Sequence, residues 1–586
     1  MFDEKGSRHR DMNWRDRYLK WSKKWEWERE SIKKKTREKI YGGIWGLIWM
    51  RWWKRKWLVI TSPNRQKAKP AQLFYYFCFS YSFFFHKAMP PESSHKSFTL
   101  TMLHSTNKYH PLPQPPTTQT KPNKTLKLKT TQLLKMVRVK EAHVVTPSEP
   151  TPNTVLALSA LDSQLFLRFT IEYLFVYRPG PGLDRSSTAA RLKTALAKAL
   201  VPYYPFAGRV RAQAEGLGLE VVCRAQGAVF IEASSERFSV TDFQKAPKTV
   251  AQWRKLLSLY VTDVLKGSPI LVVQLTWLAD GAAAVGVGIN HCICDGIGSA
   301  EFLNYFSDLA SEKCQSLGAS ASVDPKPVWD RHLLNPDNRS EANPAMHGEF
   351  GGVPDLCGFM NRVTSRLKPT CIVLDERRIE ALKRACGGAS CTSFEVVAAH
   401  VWRSWARALG FPKNQTLKLL FSVNVRKRVK PGLPEGYYGN AFVLGCAQSS
   451  AWELGERGVA YVRGVVKRAK ERVDSEHVRR VVELVSESRA SPDSVGVLIL
   501  SQWSRLGLER VELGMGKPLH VGPICCDRYC LFLPVTGERH SVKVMVAVPT
   551  AAVDNFHRFL RESNSWPNHN LFLSYVDLCN YSVLEK

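Results

Sequence analysis

The stretch AAAVGVGINHCICDG at residues 282–296 decides how this chain is interpreted. Its first eight residues are apolar, which predicts a buried strand. A second apolar run, 270–278, comes just before it, and the Asp280-Gly281 dipeptide between the runs is typical of a tight β-turn. The sequence therefore predicts an antiparallel hairpin that delivers His291 to the end of a strand. An imidazole held there can accept a proton at neutral pH.

Regular apolar spacing continues on both sides of this hairpin. Residues 137–145 alternate between apolar and polar side chains, which predicts a strand. Residues 191–200 have helical spacing, and Pro202 predicts the end of that helix. After the hairpin, one face of a predicted helix carries Phe302, Tyr305, Phe306 and Leu309. From Met136 onward the pattern is thus that of an ordinary folded enzyme.

The later part of the chain shows two further helical patterns and one irregular segment. Thr392-Ser393-Phe394-Glu395 matches a capping box and predicts a helix that runs towards Leu409. Residues 460–485 carry one continuous apolar stripe and predict a single long helix. Residues 316–368 are rich in Pro, Gly, Asn and Ser and lack periodicity, which predicts a crossover between two domains.

Length and charge divide the chain. Its 586 residues indicate two or three domains, and its net charge is +31, of which residues 1–135 carry +20 and the remainder +11. That distribution argues against nucleic-acid binding by the whole chain. We predict a basic, Trp-rich leader at 1–135, unstructured or spuriously translated, with Met136 as the functional start. The predicted domains are 136–315 and 369–561, with the crossover at 316–368 and a tail at 562–586. Attachment to a membrane or nucleic acid through the leader is the alternative.

Several function classes lack their sequence signatures. The 14 cysteines contain no CxxC pair with a matching second pair, so the sequence predicts neither a zinc site nor a disulfide framework. We therefore expect no metal. No GxGxxG, Walker A or GxSxG pattern occurs, which argues against dinucleotide enzymes, NTPases and serine hydrolases. The charged first 30 residues lack a secretory signal, and the apolar runs of the leader are too short to span a membrane, so we expect a cytoplasmic location.

Three motifs in a fixed order carry a family resemblance. His291, Asp295 and Gly296 match HxxxDG, residues 192–209 end in PYYPFAGR, and residues 425–441 combine VRKR with YYGNA. Over about 137–560 the sequence resembles the BAHD family of plant acyl-CoA-dependent acyltransferases. A fourth motif departs from the family, because DFGWGKP becomes ELGMGKP at 512–518. Gly514 and Gly516 remain, so the turn is expected to survive, whereas any role of the missing indole is in doubt.

The resemblance implies a fold and a reaction. The fold would be α/β, with two similar chloramphenicol-acetyltransferase-like domains, mixed sheets flanked by helices, and a channel at their interface. His291 would deprotonate an acceptor that then attacks the acyl-CoA thioester. Asp295, the second predicted catalytic residue, would act mainly by pairing with Arg426. Gly296 is expected to form a tight turn that only Gly tolerates.

The resemblance implies acyl-CoA as a co-substrate, no permanently bound cofactor, and a monomer. Thr392 and Ser393, at a helix N-terminus, and Lys517 are the candidate contacts for CoA phosphates. Plain capping by Thr392 and a solvated Lys517 are the simpler explanations.

The sequence is compatible with more than one acceptor class. The runs VKEA at 139–142 and LSALD at 158–162 look like those of members acting on alcohols, including hydroxycinnamoyl transfer to ω-hydroxy acids and fatty alcohols. Ala441 ends the YYGNA block, where the anthocyanin malonyltransferase branch usually has Cys. Two alternatives are N-acylation of polyamines and a non-catalytic binding partner in lipid or wax metabolism, the latter suggested by the altered 512–518 loop.

Overall fold

The computed structural model describes residues 137–562, apart from residues 181–182, 260–263, 312–322, 337–346, 357, 359–366 and 526–528. The predicted leader, the Met136 start and nearly all of the predicted tail lie outside these residues, as does part of the crossover. Within the described residues, none of the helices combines the length and the apolar character needed to cross a bilayer.

The first half of the described chain builds a mixed sheet and a small three-stranded sheet. Their strands are β1 (Arg138–Val145), β2 (Thr154–Ala157), β3 (Thr170–Tyr177), β4 (Arg209–Ala212), β5 (Leu219–Cys223), β6 (Ala228–Ser234), β7 (Leu271–Trp277) and β8 (Ala283–Asn290), and the helices are α1 (Arg185–Ala199) and α2 (Gly296–Ala310). The β7–β8 pair is antiparallel, which confirms the predicted hairpin. The strands β2, β5 and β4 form the small sheet in that order.

The second half builds another mixed sheet and six α-helices within the described residues. The elements are β9 (Leu367–Leu374), α3 (Glu376–Ala385), α4 (Ser393–Leu409), β10 (Thr416–Asn424), β11 (Phe442–Ser450), α5 (Ala451–Glu456), α6 (Val459–Glu471), α7 (Ser475–Glu487), β12 (Val497–Gln502), β13 (His520–Pro523), β14 (Cys530–Val535), β15 (Glu538–Pro549) and α8 (Val553–Arg561). The order of the strands in this sheet is β11-β10-β12-β14-β15-β9. Its strands β10, β12 and β14 are parallel neighbours, and the outer pairs are antiparallel.

One strand of the second half belongs to the first sheet. The order of that sheet is β1-β6-β7-β8-β3-β13, and β13 pairs antiparallel with β3 from His520 opposite Val176 to Pro523 opposite Tyr173. The two halves therefore share main-chain hydrogen bonds as well as side-chain contacts.

The strand that leads to His291 is buried along its whole length, as its apolar sequence predicts. Its glycine at Gly286 is required by a close approach, because a Cβ there would lie 2.3 Å from the carbonyl oxygen of Leu256. A side chain at this position would displace β8 from the backbone of Leu256. The sequence thus keeps β8 tightly packed directly before the HxxxDG motif.

The predicted single helix at 460–485 is wrong. The structure has two helices there, because Asp474 leaves the helical conformation and its side chain accepts a hydrogen bond from the His477 backbone N–H. Asp is a favoured N-cap residue, and this local bond interrupts an otherwise continuous apolar stripe. The predicted helix from Thr392 is confirmed, since Thr392 caps Ser393–Leu409. The helix predicted at 191–200 begins earlier, at Arg185, behind the N-cap Asp184.

Candidate active site

A cavity of about 1100 Å³ lies between the two large sheets. Both halves of the chain contribute to its wall, which is mostly apolar and carries a few charged groups. Its apolar lining includes Phe166, Phe169, Phe442, Leu444, Ile499, Leu506 and Leu531, and its polar lining includes His291, Asn424, Gln502 and Arg505. Such a space is at the upper end of the size of small-molecule sites.

His291 lines this cavity directly after β8. Its backbone N–H donates to the carbonyl oxygen of Phe169 at 2.9 Å, and its own carbonyl accepts from the side-chain amide of Asn440 at 2.7 Å. The ring stands between Phe169, 5.2 Å away in an edge-to-face contact, and Phe442, 5.8 Å away. Two backbone anchors and two aromatic neighbours therefore fix where the imidazole points.

Burial lowers the pKa of His291 below its ordinary value, and the nearby carboxylate of Asp295 only partly opposes this effect. The ring is therefore neutral at neutral pH, the form that can accept a proton. Its Nδ1 atom is buried and has no hydrogen-bond partner among the described residues. His291 itself lines the cavity, so its other nitrogen, Nε2, is the candidate atom for contact with a ligand.

Asp295 is among the residues that line the cavity, but its carboxylate is held by partners within the protein. Its carboxylate accepts from the backbone N–H groups of Ile297 and Gly298, both at 3.1 Å, and so caps α2. Arg426 holds it with two bonds, Nη1 to Oδ2 at 2.8 Å and Nη2 to Oδ1 at 3.2 Å, the partner expected from the sequence. Burial would raise the pKa of Asp295, but Arg426 and these hydrogen bonds lower it.

A second buried ion pair, which no sequence pattern predicted, supports the same turn. Arg331 Nη1 lies 2.6 Å from Asp162 Oδ2, and both side chains are at most 2% exposed. Arg331 also donates to the carbonyl of Ile293 at 2.8 Å. The other oxygen of Asp162 accepts from the backbone and side-chain N–H groups of Asn440, which in turn holds the carbonyl of His291. Arg331 lies in the segment interpreted from sequence only as a crossover.

Comparison with known proteins identifies the family. Residues 135–562 match the model of the Transferase family. The chain belongs to this family, the BAHD acyltransferases. It is an acyl-transferring enzyme, and the resemblance inferred from HxxxDG is confirmed.

Two BAHD relatives match this chain over most of their own length. A taxadien-5-alpha-ol O-acetyltransferase of Taxus chinensis is 30% identical over 435 residues, covering 72% of this chain and 95% of the relative. An omega-hydroxypalmitate O-feruloyl transferase of Arabidopsis thaliana is 30% identical over 449 residues, covering 73% and 93%.

Two solved structures share the fold with this BAHD chain. Vinorine synthase matches with a TM-score of 0.57 at 20% identity, covering 72% of this chain and 96% of that one. TRI101 of F. sporotrichioides, complexed with Coenzyme A and T-2, matches with 0.54 at 14%, covering 69% and 97%. These likenesses confirm the predicted α/β fold of mixed sheets flanked by helices.

Gly296, which follows Asp295, does not form the tight turn that was predicted from the sequence. Gly296 is the first residue of α2, its backbone is not in the left-handed region, and a Cβ there would meet only the end of Leu506, at 3.1 Å. The prediction of a turn that only Gly tolerates is wrong. Gly298 is more restricted, because a Cβ would lie 2.8 Å from that of Cys294.

A small recess adjoins the main cavity of this BAHD enzyme. Its wall includes Ser393 at the N-terminus of α4 together with Arg505, Arg539 and His540, and it shares Gln502 and Arg505 with the main cavity. Thr392 caps α4 through its hydroxyl, at 3.2 Å from the N–H of Glu395, and lines neither cavity. Lys517 is exposed and also lines neither. Of the three candidate phosphate contacts, only Ser393 lies at a cavity.

The altered BAHD loop 512–518 packs away from both cavities. Ser307 of α2 accepts from the backbone N–H groups of Glu512 and Leu513, both at 2.8 Å, and Met515 is buried. Gly514 and Gly516 have φ values of 68° and 80°, so the expected turn is present. None of these residues is among those that line the two cavities described.

Proposed function

We propose that the protein transfers an acyl group from acyl-CoA to an alcohol and forms an ester, with His291 as the general base. The observation that carries this proposal is a neutral, anchored imidazole on the wall of a cavity of about 1100 Å³ between the two sheets. His291 Nε2 takes the hydroxyl proton, and the oxygen attacks the thioester carbonyl. The tetrahedral intermediate collapses, the carbon–sulfur bond breaks, and the imidazolium returns its proton to the CoA thiolate.

The recess at the N-terminus of α4 supports a position for the phosphate end of the acyl-CoA donor. A helix N-terminus offers unpaired N–H groups to an anion, and Arg505 and Arg539 add positive charge beside it. The phosphates of CoA would lie in this recess, next to Ser393, with the pantetheine arm extending into the main cavity. Thr392 would then contribute only by capping the helix, and contact with Lys517 stays a prediction.

The wall of the cavity favours a bulky, largely apolar acceptor. Aromatic and aliphatic side chains dominate the lining around His291. Relatives whose names specify an ω-hydroxypalmitate and a fatty alcohol acceptor are each 30% identical to this chain, and both names specify a hydroxycinnamoyl donor group. We therefore favour a hydroxycinnamoyl or related donor with a long-chain alcohol. A relative named as an N-benzoyltransferase, at 29% identity, keeps amine acceptors as a second candidate.

The decisive test is a panel of acyl-CoA donors against acceptors, followed by free thiol release and product mass. The donors are acetyl-, benzoyl- and feruloyl-CoA, and the acceptors are a fatty alcohol, an ω-hydroxy fatty acid and spermidine. We expect acceptor-dependent thiol release with an ester product for an alcohol. Amide formation from spermidine alone would overturn the alcohol assignment, and thiol release independent of every acceptor would overturn acyl transfer as proposed.

We further propose a monomer in the cytoplasm. Buried cysteines of the described ranges, among them Cys292, Cys294 and Cys530, form no disulfide, which suits a reducing compartment. Light scattering on the purified chain would report the mass, and a fluorescent fusion would report the location.

A further inference from the structure

Three ligand atoms converge near the end of the second sheet, outside the active site. His347 Nδ1 lies 3.1 Å from Glu349 Oε1, and His477 Nε2 lies 3.4 Å from the same oxygen. All three ligand atoms are within 4.8 Å of one another. His347 and Glu349 come from the crossover segment, and His477 comes from the first turn of α7. Because His477 is distant in sequence from His347 and Glu349, no spacing motif joins the three, and the sequence led us to expect no metal.

The cluster is buried and poor in other partners. The side chains of His347 and Glu349 are 3% and 4% exposed, and that of His477 is 16% exposed. Lys418 directs its ammonium to the carbonyls of Gly348 and Gly351, at 2.8 and 2.6 Å. His477 Nε2 makes no hydrogen bond within the described part of the chain, although it faces the carboxylate. A buried carboxylate is usually paired with a positive charge or coordinates a metal ion. The carboxylate of Glu349 faces two imidazoles, which can also coordinate a metal.

Two of the three separations between these atoms are close to the edge of a metal polyhedron. Zinc binds His nitrogens and carboxylate oxygens at about 2.0–2.2 Å, so neighbouring ligand atoms of a tetrahedral site are about 3.3–3.6 Å apart. The two distances at Glu349 Oε1 are 3.1 and 3.4 Å, and the two imidazole nitrogens lie within 4.8 Å of each other. We propose that His347, Glu349 and His477 form a site for Zn²⁺ or a similar divalent transition metal, with water completing the coordination.

The position of the site indicates what a bound metal would hold. The crossover segment after Glu349 is tied to the loop beyond α7, since the Val353 N–H donates to Asp493 at 3.2 Å. In that same loop, Ser491 and Pro492 line the main cavity. A metal at the cluster would add a second link between the crossover and α7, and would brace the wall of the cavity at this end. Its role is structural rather than chemical.

Metal binding is tested on the full-length chain after chelation and dialysis. Added Zn²⁺ is quantified by mass spectrometry of the metal and by competition with a chromogenic chelator, and Co²⁺ serves as a spectroscopic probe. The variants are His477→Asn and Glu349→Gln. The matched control is His143→Asn, because His143 lies 3.1 Å from Glu141 in an exposed pair elsewhere.

We expect one Zn²⁺ per chain, a visible Co²⁺ spectrum typical of tetrahedral coordination, and a higher melting temperature with Zn²⁺. Loss of a ligand should exceed the roughly 10- to 100-fold affinity loss that follows removal of a second-shell partner. His143→Asn should bind as the unmodified chain does. Binding well below one equivalent in the unmodified chain overturns the site and leaves a hydrogen-bonded cluster. Stoichiometric binding by both ligand variants overturns it as well. None of these three readouts depends on acyl transfer.

Discussion

His291 combines burial with access to the cavity. Burial keeps the ring neutral, the anchors at Phe169 and Asn440 fix its backbone, and the cavity gives a ligand a path to it. Its neighbours Asp295 and Asp162 are both held in ion pairs with arginines, although Asp295 is also among the residues that line the cavity. They hold the turn from both sides through Arg426 and Arg331. The residue-scale hypothesis is therefore one base and a set of positioning residues.

Replacing His291 with Ala should abolish most of the activity. General-base catalysis contributes typically 10²- to 10⁴-fold, so we expect kcat to fall by at least about 10² while the melting temperature changes little. Steady-state kinetics with the best donor and acceptor pair give the ratio. His143→Ala, an exposed histidine far along the chain from the site, is the control and should leave kcat unchanged. Turnover of His291→Ala within a few-fold of the unmodified enzyme would remove the proposed base.

Asp295→Asn should destabilise the fold. Removing one partner of a buried ion pair leaves the other charge uncompensated, at a cost of roughly 3–5 kcal/mol in unfolding free energy. Because the folded-state pKa of Asp295 is lowered, its contribution is present above the unfolded value of about 3.9 and is lost as pH falls through the folded value. Denaturant unfolding at pH 7 and across the acid range should therefore show the difference between variants shrinking in acid.

The double variant Asp295→Asn with Arg426→Gln separates pairing from direct catalysis. If the pair acts as a unit, the double variant should be clearly more stable than the sum of the two single losses predicts, because removing the second partner no longer leaves an unpaired charge. An unchanged melting temperature in Asp295→Asn together with lost turnover would instead assign the carboxylate a direct role.

At the scale of elements, local features decide where the site residues lie. Asp474 divides the long apolar stripe into α6 and α7, and that break places His477 in a first turn. The altered 512–518 loop keeps its turn through Gly514 and Gly516 and packs on α2 rather than at the cavity. Its departure from the family motif therefore does not touch the residues around His291.

Gly286→Ala tests how tightly β8 must pack. The new methyl would lie 2.3 Å from a backbone oxygen of Leu256, which cannot move as a side chain can. Overpacking of this kind typically costs about 1–3 kcal/mol, and a shifted β8 would also displace His291. We expect a lower melting temperature and a reduced kcat.

Gly288→Ala is the matched control on the same strand. Its methyl would meet only side-chain atoms, Leu257 Cδ2 and Thr170 Cγ2, each at 2.9 Å. Its effect on thermal unfolding should be smaller. Equal effects of the two substitutions would contradict the argument from the Leu256 backbone.

At the scale of the whole molecule, one strand of the second half and several buried charged or polar side chains join the two halves. The strand β13 extends the first sheet, and Arg331 and Asn440 connect the crossover and the second half to the HxxxDG turn. The cavity wall draws on both halves. We therefore expect neither half to be active by itself, and the domain boundaries at 136–315 and 369–561 stay a proposal.

A chain that starts at Met136 and ends at residue 562 should retain the activity of the full-length protein. The matched family region covers 135–562, and all residues that line the cavity fall inside it. Parallel kinetics on both forms, with the same donor and acceptor, give the comparison. A loss of more than a few-fold in kcat/KM would assign residues 1–135 or 563–586 a role in catalysis and refute the prediction that both are dispensable.

The sequence alone determined the features that depend on neighbours along the chain. Alternating and helical patterns predicted the β7–β8 hairpin, and the HxxxDG turn with two further motifs predicted the family and His291. Only the tertiary structure decided the features that depend on distant residues. Arg331 on Asp162, β13 in the first sheet and the cluster of His347, Glu349 and His477 have no short-range signature, because each joins segments that folding alone brings together. The prediction of a turn that only Gly tolerates at Gly296 was wrong for the same reason, because the atom that a Cβ there would meet belongs to Leu506, which is distant in the sequence.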